Sequence, residues 1–281
     1  MRRFIDRIIV RALDSALMEN INRTYALRRR INPPEAPPMS LALSYPHDPA
    51  TGVPRPLVSE AVWAVAAQLR AVVARAASPW ALSTNALVAA VAQLEVNGRR
   101  IASAWDFGQP VHDTSGRQVL GVFETDPSTP GLALVSVNRR LIGDRPDLEL
   151  STVAHEVGHI VFDAPPSVAE PTRRYRSVTV GPNCLDGASA RAERRANEFM
   201  GALLVPPRQL HLRLVARARS ERLPMVHAPH RGRPGSRVLP ASTPPDALAG
   251  LTAALAGDFG VSDRFIAVRL RRYRLIAGDV P

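Results

Sequence analysis

The chain has 281 residues and 46% hydrophobic content, ordinary for a globular protein and enough for one domain of about 150 residues with appendages. Its formal charge is +11 and all 36 basic residues are arginine; this favours acidic partners in a salt-dependent way, but the lack of lysine points to coding bias rather than to a binding surface. A single cysteine, Cys184, excludes an internal disulfide framework, and Arg70 and Arg75 keep the richest apolar stretch short of the ~18 residues that cross a bilayer.

From the N-terminus, residues 2–29 place Phe4, Ile5, Ile8, Ile9, Leu13 and Leu17 at helical spacing with arginines opposite, an amphipathic helix expected to pack on the protein or on a partner. Arg7 and Arg11 break the apolar core that a signal peptide needs, so a cytoplasmic protein is expected. Residues 32–56 hold eight prolines and read as an extended segment. The folded domain is expected to begin near Leu57, with one Ala-rich helix to about Ala77 and a second from Ser83 to about Val96. After Asn97-Gly98 the period approaches two, and Arg100–Trp105, Gln118–Thr125 and Leu132–Asn138 read as three strands of a small antiparallel sheet. Asn138 is at the same time a candidate cap for the turn before Arg139.

Leu148–Phe162 contains no proline and keeps Leu150, Val153, Val157, Ile160 and Val161 apolar, with Asp147 or Ser151 as start residues, which predicts a helix. Within it stands His155-Glu156-Val157-Gly158-His159. Two imidazoles four residues apart on a helix project from one face and can share a metal ion. A carboxylate beside an open coordination position can take the proton from a metal-bound water. Ala190–Leu204 predicts a second helix, with Ala192, Ala196, Phe199 and Leu203 as its apolar stripe and Pro206 as its stop. Glu193 can complete a His, His, Glu shell, and Asn197, one turn later, can hydrogen-bond a ligand imidazole. Glu198 lies about 140° around the helix from Glu193, so the two cannot face one metal, and Glu193 is preferred. Asp163, four residues after His159, is expected at the helix end and is not assigned as a ligand.

The pairing of AHEVGHIVF with the later ERRANEFMGALLVP, preceded by LALVSVNRRL, resembles the ImmA/IrrE family of peptidases over about residues 80–206. The resemblance implies a cytoplasmic zinc endopeptidase of minimal gluzincin type that cuts a helix-turn-helix transcriptional repressor and so releases phage, mobile-element or stress genes. It implies His155, His159 and Glu193 as zinc ligands and Glu156 as the general base, activating the zinc-bound water for attack on the peptide carbonyl and then protonating the leaving amine. Two departures stand out: Met200-Gly201 replaces the usual small pair and Val205 the common Met, neither of which touches the metal chemistry. An oxyanion stabiliser is sought between the metal helices, at Tyr175 or among Arg173, Arg174 and Arg176. In metallopeptidases of this architecture an extended substrate pairs with an exposed edge strand, for which the strand ending at Val137-Asn138 is the candidate. Cys184, nine residues before Glu193, reads as an incidental thiol.

Residues 207–223 predict a basic helix, and 224–245, with six prolines and Arg231, Arg233 and Arg237, a linker in which His227 and His230, like His211 before it, are surface residues. Leu251–Ile276 has helix-turn-helix spacing, with Gly260 at the turn, Ser262 as cap and Arg264, Arg269, Arg271, Arg272 and Arg274 on its second helix. Packing on the catalytic domain or recognition of the repressor is favoured over specific DNA binding, with weak nucleic-acid contact as a secondary expectation.

The expected fold is therefore α+β, mostly helical, with a three-stranded antiparallel sheet on the metal helix and a helix-turn-helix-like C-terminal segment. The expected division is 1–56, 57–223 as the metallopeptidase domain, 224–245 as linker and 246–281. Two function classes follow: a zinc endopeptidase, or a regulatory module that binds repressor or DNA and holds only a structural zinc. The intact Glu156 favours the enzyme, since a structural site has no need of a base beside an open position.

Overall fold

The computed structural model describes residues 41–74, 80–113, 116–170, 176–178, 187–230 and 233–278. The amphipathic segment 2–29, Arg173, Arg174, Tyr175 and Cys184 lie outside the described residues. In chain order the elements are β1 (Leu41–Leu43), α1 (Ser59–Val73), α2 (Thr84–Ala90), β2 (Gln93–Val96), β3 (Arg99–Asp106), β4 (Gly121–Thr125), β5 (Leu132–Val137) and a short α3 (Arg139–Ile142). They are followed by α4 (Pro146–Ala169), β6 (Arg176–Val178), α5 (Gly187–Leu204), α6 (Pro207–Ser220), β7 (Val226–His230), β8 (Arg233–Val238), α7 (Pro245–Phe259) and α8 (Asp263–Arg272).

The class is α+β, but the sheet is wider than expected and mixed. Six strands run in the order β1-β2-β3-β5-β4-β6. β3 and β5 pair in parallel, while β4 is antiparallel to both β5 and β6. The helix expected over Ser83–Val96 stops at Ala90, and Gln93–Val96 is instead a strand. The reason is the Asn97-Gly98 turn: both residues have positive φ, 53° and 76°, the conformation of the tight two-residue hairpin that joins β2 to β3. Asn97 and Gly98 end a strand here, not a helix.

Helix α4 is longer at both ends than its apolar pattern indicated. It starts with Pro146 at its first turn, not at Asp147 or Ser151, and runs through Pro165-Pro166 to Ala169. Pro165 cannot donate to the carbonyl four residues back, that of Val161. The buried Tyr45 hydroxyl donates to that carbonyl at 2.9 Å, and its ring packs 4.9 Å from that of Phe162. Residues 41–56, expected outside the domain, thus belong to it: contacts divide the chain after Ser40, and Leu43 and Tyr45 lie in the core.

Helix α4 is buried almost throughout, with the sheet on one side and α5 on the other. The expected stripe of α5, Ala192, Ala196, Phe199 and Leu203, is buried. Arg70 of α1, only 4% exposed, donates to the carbonyls of Leu203 (2.5 Å) and Trp80 (2.6 Å), holding the C-terminal end of α5. Burial lowers the Arg70 pKa to about 10, so it stays cationic at neutral pH.

The expected linker 224–245 is instead the β7-β8 hairpin leading into buried Val238 and Leu239, and the His211 ring lies 2.7 Å from the Arg237 carbonyl. The C-terminal helices have the caps expected of them. Gly260 ends α7 in the left-handed conformation and the Ser262 side chain accepts from the Phe265 N–H. They share one core with α4 and α5 rather than forming a separate segment. Arg272 pairs with Glu198 at 3.0 Å and bonds Ser59, the Tyr273 hydroxyl donates to the Val205 carbonyl at 3.0 Å, and buried Arg269 donates to the Asn197 carbonyl at 3.1 Å. A side chain at Gly201 would collide with the Arg269 guanidinium, which accounts for glycine at that position.

Candidate metal centre

Helix α4 places His155 and His159 one turn apart, and α5 brings Glu193 against both. The Nε2 atoms of the two imidazoles are 3.1 Å apart, and the two Glu193 oxygens lie 3.2 Å from one Nε2 each. Zinc with bonds of about 2.0–2.1 Å in a tetrahedral shell spaces its donors by roughly 3.3 Å, so this set fits such an ion. Among the described residues this is the group of three His, Cys, Asp or Glu side chains close enough to hold a metal. It is also closed off: His155, Glu156, His159 and Glu193 are 5%, 1%, 0% and 9% exposed.

Both Nδ1 atoms are engaged, which turns both Nε2 atoms inward. His155 Nδ1 is 3.2 Å from the Asn197 side-chain oxygen, and His159 Nδ1 is 2.8 Å from Asp163 Oδ2. Asp163 is thus not at the end of its helix, as the apolar pattern suggested, but buried inside it and bonded to Arg195 of α5. Glu198 points elsewhere, accepting from the Trp63 indole at 2.5 Å and from Arg272.

Glu156, between the two histidines, is not part of the three-donor group. Its carboxylate lies against β4, where a Cβ on Gly121 would come within 2.5 Å of Glu156 Oε1. Phe123, two residues along the same face of the strand, stacks on His159 with ring centres 5.9 Å apart. The strand beside the site is therefore β4. β5, whose end at Val137-Asn138 was the expected substrate edge, lies inside the sheet between β3 and β4, with both residues buried. Asn138 is a cap: its side chain accepts from the Leu141 N–H at 3.1 Å. Arg176 belongs to β6, which forms the sheet edge beyond β4.

Glycine at position 158 sets the spacing of the metal helices, since a Cβ there would lie 2.9 Å from the Ala196 Cα. Gly158→Ala is expected to push α4 and α5 apart, lowering stability by about 1–3 kcal/mol and weakening metal binding. Thermal melting with and without zinc checks this, and an unchanged zinc-induced rise in melting temperature would contradict it.

In the metal-free site burial opposes a charged His159, yet the hydrogen bonds that its ring donates to the Asp163 and Glu193 carboxylates outweigh it and raise its pKa to about 10. Burial also opposes the Glu193 carboxylate, while the two imidazoles hold its pKa well below the usual carboxylate range. Folded His159 thus keeps a proton that the unfolded chain releases near 6.5; the associated stability is complete below that pH and is lost as pH rises toward 10. A metal must displace this proton, so affinity for zinc is expected to rise about tenfold per pH unit around neutrality. Chelator-buffered titrations at several pH values measure that slope, and a flat profile would refute the assignment.

No protein-family model matches the chain, and a search of curated proteins finds no match.

Proposed function

We propose that this chain is a zinc-dependent endopeptidase of the ImmA/IrrE kind, acting in the cytoplasm on a helix-turn-helix transcriptional repressor. The observation that carries the reading is the placement of Glu156: buried, next to His155 on the same helix and fitted against Gly121, yet outside the three-donor set. A carboxylate so placed suits proton transfer rather than coordination. The residues quoted for the family resemblance supply the substrate class.

Bound zinc would acidify a water and polarise the scissile carbonyl. His155, His159 and Glu193 would hold it, and three protein ligands leave a fourth coordination position for water, as in catalytic zinc sites. Glu156 would accept the water proton on its carboxylate and pass it to the leaving amine. Asn197 and Asp163 keep the histidines aimed, and the tight burial of Glu156 excludes bulk water from the proton it carries. The edge nearest this site is β6, paired to β4 through Phe123 and Ser177, and an extended substrate backbone would be gripped there.

Docking of α8 buries Arg269 and engages Arg272 with Glu198 and Ser59, which favours the enzyme over a DNA-binding module. The reading is tested by incubating zinc-loaded protein with purified helix-turn-helix repressors and identifying new termini by mass spectrometry. Chelator-sensitive cleavage at one site supports it; stoichiometric repressor binding without cleavage supports a binding module instead.

A further inference from the structure

The geometry points to Asp163, clamped by Arg195, as a positioning residue that sets the tautomer and donor strength of His159; this rests on the metal-centre reading above. Asp163 follows His159 by one helical turn and is 5% exposed. A carboxylate can only accept, so the 2.8 Å contact requires His159 Nδ1 to carry a hydrogen, and Nε2, which faces Glu193 and His155, is the nitrogen left to bind a metal. His159 is fully buried, so bulk solvent does not compete for that choice.

The other Asp163 oxygen accepts from Arg195 Nη2, and the Arg195 guanidinium lies over the Phe162 ring at 5.2 Å. Arg195 stands two residues after Glu193 on α5. One chain of contacts therefore links α4 and α5 from the buried Nε2 through the imidazole and carboxylate to the half-buried guanidinium, which balances the charge of Asp163. His155 is treated differently, because its Nδ1 meets only the neutral amide of Asn197 at 3.2 Å. A histidine donating to a carboxylate is the more basic ligand, so His159 is the stronger nitrogen donor of the pair and Asp163 is the residue that makes it so.

The test is zinc affinity by chelator competition near neutral pH, on the full chain, for wild type and Asp163→Asn. The asparagine keeps the size of the side chain and an acceptor oxygen but removes the charge. Zinc binding weaker by about 10–100-fold is expected, and affinity within about threefold of wild type overturns the inference. Should Asp163→Asn not fold, nitrogen-15 NMR of the imidazoles in zinc-loaded wild type decides it. A hydrogen on His159 Nδ1 supports the inference and a bare Nδ1 overturns it. A wild type that holds no zinc removes the metal centre itself, and this assignment with it. Zinc held equally by both proteins leaves the centre intact and removes only the role of Asp163.

Discussion

Glu156→Gln is expected to keep its zinc and its fold while losing peptide hydrolysis by about 10²–10⁴-fold, the range typical of a lost general base. The amide has the shape of the carboxylate, so it fits the same niche formed by Gly121 and Thr152. It cannot accept the proton of the attacking water or return it to the amine. The loss corresponds to about 3–5 kcal/mol of transition-state stabilisation and should appear in kcat rather than in substrate binding, because in the proposed mechanism Glu156 handles the proton and not the peptide. Initial cleavage rates beside zinc content measure it. Cleavage at the wild-type rate by the zinc-loaded variant would remove Glu156 from the mechanism.

Arg70→Ala is expected to give the largest loss of stability, about 3–5 kcal/mol, because it strips a buried cation from the carbonyls of Leu203 and Trp80 and leaves them without a charged donor. The Leu203 carbonyl belongs to the last turn of α5, where a cation also meets the negative end of the helix dipole. For a unit of this size the loss corresponds to a fall in melting temperature of about 10 °C. Calorimetry of the zinc-loaded variant reads it directly. A fall under about 3 °C would mean that core packing alone fixes the end of the metal helix.

The parts of the site carried by local period were legible in the sequence. His155, Glu156 and His159 share one helix, and the phase of the next helix separates Glu193 from Glu198. The Gly260 turn and the Ser262 cap are equally local, being single side chains and dihedrals written at fixed offsets. Contacts between distant segments left no such trace. Gly121 looks like an ordinary strand residue until β4 is laid against Glu156, and the vacancy at Gly201 has meaning only once Arg269 arrives from α8. The parallel pairing of β3 with β5, which buries the expected edge strand, depends on long connections rather than on alternation. Gln93–Val96 is short and follows an Ala-rich helix, so its pattern alone did not separate strand from helix. The apolar pattern closes at Phe162 and so puts Asp163 at the helix end, whereas the helix runs on through Pro165, with Tyr45 supplying the hydrogen bond that Pro165 cannot make.

The most direct measurement of the central claim is zinc per chain after dialysis, by elemental analysis, for wild type, Glu193→Ala and Glu198→Ala. The three-donor site predicts about one zinc in wild type and in Glu198→Ala, and a marked loss in Glu193→Ala. A wild type without zinc, or zinc that survives loss of Glu193 and disappears with Glu198, would contradict it.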